Sequence, residues 1–368
     1  MYSFRHRVNV RNVHSFLLIL YLVGLVMASS AAHYVPVMVF SLFVLILGLF
    51  SKEIRFSRDY IPYYVLLTLL ANISLIDGSF DVLGSNILFT VGSIVNIVIY
   101  ELFAYNKLLR GHVEIFIWLL MIVSTAYVLI TGQYSTIFFG NQNATPFLVL
   151  LVLFLSDLYL SDRKVTAWAV WCFSIFFTLS SHSRSGFLAV VAYFLLRNIK
   201  SKIVQVLFFV CTLSALIVLY SLGYSDYITF KLFGKPISYL SHRDVLWSQG
   251  WRLISSRPFG VGYRGYSDIF EDVLGVHYSV HNTYLNILLE FGWPYFIVYL
   301  VFLIKLVLES KNSFTTALIF SVYLRCLFES GVPFGFSLPS ALLLLPFYIG
   351  RGYTGLGQSE IKDYSKTG

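Results

Sequence analysis

Long apolar runs separated by short polar turns dominate the chain. Runs of roughly membrane-spanning length occur near residues 15 to 32, 34 to 50, 60 to 76, 87 to 104, 113 to 130 and 145 to 160. Six more lie near 165 to 180, 186 to 196, 203 to 222, 283 to 308, 315 to 329 and 335 to 350. The pattern predicts an all-α polytopic membrane protein with about twelve transmembrane helices and one long external loop. It divides into an N-terminal bundle over 1–222, the loop over 223–281, a C-terminal bundle over 282–350 and a tail over 351–368. The run at 186–196 is short and must borrow from the turn before it. Within the loop, Ser241, His242, Arg243 and Asp244 form a capping-box-like start with Ser241 as N-cap. A helix is predicted near 242–256, stopping before Pro258. Trp247, Trp251 and Ile254 recur on it at helical spacing and would lie against the membrane domain.

Composition agrees with this pattern. With 58% hydrophobic residues, 12% charged residues and a mean hydropathy of +0.77, the chain is unlike a soluble domain, which carries roughly 25% charged residues. The net charge of +8 then marks cytoplasmic loops and anionic lipid headgroups, not nucleic acid. If the N-terminus is inside, eighteen of the 26 Lys and Arg residues fall in cytoplasmic segments and Arg325 falls within a span. The positive-inside bias therefore supports twelve spans with both termini cytoplasmic. The exceptions are Arg184, in an external turn, and Lys231, Lys235, Arg243, Arg252, Arg257 and Arg264, in the long loop. The first apolar run has no small-residue cleavage site, so no cleavable signal peptide is expected. Cys172, Cys211 and Cys326 all lie in apolar runs and are expected in the core, outside any disulfide or zinc framework.

The candidate chemistry sits where polar residues meet apolar spans, an expensive location for them. Arg184 stands at the external edge of a span, either as an anchor to lipid phosphate or as a phosphate ligand within the bundle. Arg243, in the first turn of the loop helix, lies where free backbone N–H groups already favour an anion. Two guanidinium forks facing one side suit a diphosphate, because arginine binds phosphate bidentately and stays charged. Asn282, Asn286 and Glu290 follow at i, i+4 and i+8, so they form one polar stripe that should face protein or water. Gly292, Trp293 and Pro294 then interrupt the helix. His281, at the mouth of the stripe, could cap the helix or act as a general base on a sugar hydroxyl, since imidazole ordinarily titrates near neutrality. His277 lies one turn before it at the spacing of a zinc pair, but no third ligand is evident and no metal is expected. Gly260, Gly262 and Gly265 spell GxGxxG without a strand–helix–strand context, which favours a close-approach turn over a dinucleotide site. Arg325 and Glu329, at i and i+4, are expected to pair.

Three stretches together resemble the O-antigen ligase and polymerase family: SHSRSGFLA, SHRDVLWSQGWRLISSRPFGVGYRG and HNTYLNILLEFGWPY. The last carries the family's His-Asn, nine residues, Gly-x-x-Tyr arrangement in His281, Asn282, Gly292 and Tyr295. Arg184 and Leu188 fit its Arg-x-x-x-Leu element. The resemblance implies a GT-C-like, metal-independent, inverting glycosyltransferase of the bacterial inner membrane. Its donor would be an undecaprenyl-diphosphate-linked glycan, its acceptor a lipid A-core or another glycan, and it would need no cofactor. Arg184 and Arg243 would bind the diphosphate and His281 would be the base, with Asn282, Asn286, Glu290, Arg252, Arg264 and His277 in support. A ligase is the leading expectation, with a polymerase using the same donor as its alternative. A transporter of a lipid-linked glycan would use the same arginines, but no internal repeat of the kind such proteins carry is evident.

The topology is tested by reporter fusions. Alkaline phosphatase joined after Asp268 is expected to be active and after Lys362 inactive; the reverse at either position would overturn the assignment.

Overall fold

In a computed structural model, residues 2–27, 56–77, 82–105, 108–132, 145–181, 183–222, 227, 231, 243–275, 279–310, 312–332, 334–335 and 338–354 are described. Among them every regular element is a helix. The N-terminal part holds α1 (Tyr2–Met27), α2 (Ile61–Leu70), a 3-10 turn (Ile73–Asp77), α3 (Leu83–Tyr105), α4 (Arg110–Thr131) and α5 (Thr145–Tyr159). Next come α6 (Lys164–Ser180), α7 (Arg184–Leu196) and α8 (Lys202–Ser221). The loop carries α9 (Arg243–Ser256) and α10 (Gly265–Leu274). The C-terminal part holds α11 (Thr283–Glu309), α12 (Ser313–Cys326), α13 (Leu338–Ala341) and α14 (Leu345–Thr354). Leu83–Ala104, Arg110–Thr131 and Thr283–Glu309 are long and apolar enough to cross a membrane by themselves. Seven shorter apolar helices accompany them among the described residues. The chain is a multi-pass membrane protein. The expected span at 34–50, the Ser241 cap and His277 lie outside the described residues.

Residues Thr145 to Ser156 of α5 are buried on every face, as expected of a helix enclosed by others. It packs against α4, α6, α7 and α12. Outer faces remain apolar: Ile130 of α4, Val165 and Trp168 of α6 and Ile203 of α8 are largely exposed, which suits contact with lipid rather than water. Cys172 and Cys211 lie on such exposed faces, so of the three cysteines only Cys326 is in the core. The sequence marked all three as apolar surroundings, but lipid-facing and core positions of a membrane helix are equally apolar.

Polar contacts gather at the two ends of the bundle. At the end remote from Arg184, termed inner for reference, Arg197 Nη1 donates to both oxygens of Asp157 at 2.7 and 2.6 Å, Tyr193 donates to the same carboxylate, and the guanidinium lies 4.3 Å from the centre of the Trp171 ring. Tyr64 there donates to buried Glu101 at 2.7 Å, and Lys305 pairs with Glu309 at 2.6 Å. The outer end, which holds Arg184, has its own charged cluster. The short run flagged in the sequence is α7, a 13-residue helix that starts at its cap Ser183, whose hydroxyl accepts from Gly186 N. A Cβ at Gly186 would lie 2.1 Å from Pro146 Cγ, so the outer ends of α7 and α5 are in direct contact.

α11 is two helices joined at Gly292, whose φ of 73° and ψ of −177° break the helical path. The glycine-rich loop covers the break. Val261 N donates to Leu289 O and Gly262 N to Glu290 O, while Trp293 N donates to Pro258 O. The loop thus meets the unsatisfied backbone of the kink, as a break in a membrane helix requires. The GxGxxG string is therefore the close-approach turn its sequence context favours. α9 runs alongside on the same helix, with Gly250 against Leu285 and Leu289, and with Leu246 and Ile254 buried. Trp247 donates from Nε1 to Val280 O, whereas Trp251 remains half exposed beside Trp293. α10 was not foreseen in the sequence; it starts after Arg264, which adopts a φ of 63°.

The lock depends on the absence of side chains. A Cβ at Gly260 would meet Glu290 O at 2.6 Å, and one at Gly292 would meet Pro258 O at 2.4 Å. Both residues also have positive φ. Gly260→Ala or Gly292→Ala is expected to cost about 2 kcal/mol or more and to lower the melting temperature of the detergent-solubilised protein. Gly84→Ala, with nothing within 4 Å, is not.

Candidate functional site

The outer cluster is built from four separate pieces of chain. Arg184 opens α7 and Arg243 opens α9, while Arg325 lies one residue from the end of α12 and His281 precedes the cap of α11. Glu329, just beyond α12, brings three of them together. Its Oε1 lies 3.9 Å from Arg243 Nη2 and 3.7 Å from Arg325 Nη2, and its Oε2 lies 3.9 Å from His281 Nδ1. The i, i+4 pairing of Arg325 with Glu329 expected from the sequence is present, and it is one edge of a larger cluster. Arg325 is fully buried, reaches Ser185 Oγ, and lies over the Phe147 ring at 5.2 Å. Arg325 thereby ties the site to the residue after Arg184. Arg243 donates from Nη1 to Phe328 O at 3.0 Å. Burial depresses the Arg243 guanidinium below its usual range, the Glu329 carboxylate opposes this, and the nearby Arg184 guanidinium adds to the depression. Arg184 and Arg243, 59 positions apart in sequence, thus act on one another electrostatically.

Backbone bonds hold the pieces in place. Thr283 Oγ1 donates to Glu329 O at 2.6 Å, and the hydroxyls of Ser279 and Ser330 bond to each other. Between these two stitches sits His281, with a φ of 48° in the left-handed region and its N–H toward Ser279 Oγ at 3.4 Å. A non-glycine residue is held there only when its surroundings over-determine it, a condition common at functional sites. Asn282, not His281, caps α11: its Oδ1 accepts from Leu285 N at 3.0 Å.

The other residues marked in the sequence lie elsewhere. Asn286 and Glu290 are 4% and 2% exposed, so the polar stripe faces protein. Glu290 Oε1 accepts from Arg264 N at 3.1 Å, which fastens the stripe to the glycine-rich loop. The Arg264 side chain is exposed with its guanidinium near the Tyr263 ring, and Arg252 is exposed on α9. The structure thus gathers Arg243, His281 and Arg325 around Glu329, with Arg184 near enough to Arg243 to act on its charge. Of the supporting group, Asn282 caps α11 and Glu290 accepts from Arg264 N.

The fold is thus a helical bundle that gathers Arg243, Arg325 and His281 around one carboxylate at one end, under a loop clamped to a kinked helix. Residues 168–300 match the family model described as O-antigen ligase, and this part of the chain is similar to that family. The match includes Arg184, Arg243 and His281 but ends before Arg325 and Glu329. Among curated proteins, none matches the chain.

The assignment of Asn282 to the cap is testable. Asn282→Ala is expected to cost about 1 kcal/mol, seen as a lower melting temperature, whereas Asn282→Ser keeps both stability and activity. Loss of activity in Asn282→Ser at an unchanged melting temperature would give Asn282 a role in the site itself.

Proposed function

We propose that the protein is an O-antigen ligase, which transfers glycan from an undecaprenyl-diphosphate-linked donor to lipid A-core during lipopolysaccharide synthesis. The family match supports a ligase- or polymerase-type role in surface-polysaccharide synthesis. The observation that carries the proposal is the meeting of Arg184, Arg243 and His281 at one end of the bundle although they come from three elements. In this reading the outer end faces the periplasm and both termini face the cytoplasm of an inner membrane.

Arg184 and Arg243 hold the diphosphate by charge-assisted hydrogen bonds and stabilise the charge that grows on it as it leaves. His281 takes the proton of the acceptor hydroxyl, and the oxygen attacks the anomeric carbon from the face opposite the diphosphate, which inverts that centre. The leaving group is already a good one, so the reaction needs positioning and fixed cations, without a metal.

Deletion in the native host followed by electrophoresis of its lipopolysaccharide tests the proposal. Loss of a ligase leaves bare core, with polymer stranded on its lipid carrier. Core bearing a single repeat would instead identify a polymerase working with the same site. On complementation, Arg184→Ala and Arg243→Ala are expected to restore no transfer although each protein inserts. Lysine at either position is expected to restore little, because an ammonium has no bidentate fork. Wild-type transfer by Arg243→Ala at normal abundance would remove the diphosphate clamp.

A further inference from the structure

We propose that Glu329 is the positioning residue of His281. It would hold the imidazole in the tautomer and orientation that accept the acceptor's proton, and stabilise the imidazolium that results. The proposal rests on the functional reading above and adds to it a residue outside the segment that matches the family model.

Glu329 is 8% exposed, and its Oε1 has no hydrogen bond although two guanidinium nitrogens lie 3.7 and 3.9 Å away. Its other oxygen faces His281 Nδ1 at 3.9 Å. The carboxylate is thus placed among three nitrogen groups and closed onto none. Its position is fixed by main chain rather than by side-chain freedom: Phe328 O accepts from Arg243, Glu329 O accepts from Thr283, and Ser330 bonds Ser279. The same bonds fix His281, which lies between Ser279 and Thr283. A diphosphate that engages the guanidiniums leaves the carboxylate to His281. Nδ1–H then points at Glu329 and Nε2 is left for the acceptor, the division of labour by which a carboxylate orients a catalytic histidine elsewhere.

The proton count closes. The acceptor O–H gives its proton to Nε2 while its oxygen bonds the anomeric carbon. The bond from that carbon to the diphosphate oxygen breaks, and its electron pair leaves on phosphate. One negative charge appears on the leaving group and one positive charge on His281, beside Glu329.

The test uses the full-length protein with two readouts: transfer in complemented host membranes, and binding of farnesyl diphosphate, a short isoprenoid diphosphate, to the purified protein. Glu329→Gln is expected to slow transfer by about 10- to 100-fold. It should also bind farnesyl diphosphate as tightly as wild type or a few-fold tighter, because an anion has left the cation cluster. A merely structural role would weaken both. In a His281→Ala background, Glu329→Gln should cost less than about twofold, since residues that act through one another are not additive. Full transfer by Glu329→Gln, weaker binding together with weaker transfer, or a full additive loss in the double variant would each overturn the proposal. If Glu329→Gln does not accumulate, Glu329→Asp replaces it: retraction by one methylene is expected to slow transfer at unchanged farnesyl diphosphate binding, and wild-type transfer would overturn the idea. Failure of the underlying reading looks different: His281→Ala would then keep transfer, or Arg243→Ala would keep farnesyl diphosphate binding.

Discussion

A bilayer offers no water to a broken helix, so the interruption at Gly292 obliges another part of the chain to supply the missing hydrogen bonds. The loop from Pro258 to Gly265 does so, backbone against backbone, and much of the outer architecture follows. Because the loop is fastened at Leu289, Glu290 and Trp293, α9 is laid along the first turns of α11. Arg243, at the start of α9, then falls beside Phe328 and Glu329. The buried carboxylate of Glu290 serves the same fastening through Arg264 N. The polar stripe, expected to face protein or water, faces protein, and its last member is an attachment point of the loop.

The residues legible in the sequence were those that break a strong rule. Arg184 and Arg243 violate the positive-inside bias, and His281 stands at the threshold of an apolar span. The glycines of the loop were legible because a GxGxxG string without its usual context leaves close approach as the better explanation. Glu329 was harder to see. Its helical neighbour Arg325 accounts for it locally, and the contacts that give it meaning join it to residues 48 and 86 positions away. Helix α10 was missed because its start is set by a left-handed Arg264 rather than by a cap-forming side chain. The placement of Cys172 and Cys211 shows a related limit. Hydropathy tells that a position avoids water, but not whether protein or lipid replaces it.

The two helices of α11 also divide its work. Beyond Gly292 the helix presents Ile297, Val301, Ile304 and Leu308 outward as an exposed apolar stripe, as a lipid-facing span should. Before Gly292 it is buried from Leu285 to Phe291, enclosed by α9 and its neighbours. Of the His-Asn, nine residues, Gly-x-x-Tyr pattern, His281 stands just before the first segment of α11 and Gly292 ends it. The Tyr295 of that pattern lies buried in the second segment, 4.6 Å from Phe291 between ring centres. Its ring spans the break by packing rather than by facing a ligand.

The ion pairs at the two ends of the bundle differ in a way that bears on their roles. At the inner end Arg197 closes on Asp157 at 2.6 Å, Lys305 on Glu309 at 2.6 Å and Arg110 on Asp162 at 2.5 Å. Arg351 stands 3.7 Å from Glu101 Oε2, a buried oxygen without a hydrogen bond, while Tyr64 donates to Oε1. The close pairs fasten helices together. At Glu329 the separations are 3.7 to 3.9 Å, and a buried oxygen has no hydrogen bond. An incomplete cluster in a partly dry setting costs stability, and here the backbone stitches around residues 279–283 and 328–330 maintain it. The Arg243 and Arg325 guanidiniums already bond Phe328 O and Ser185 Oγ, and they keep Glu329 beside them without closing onto it.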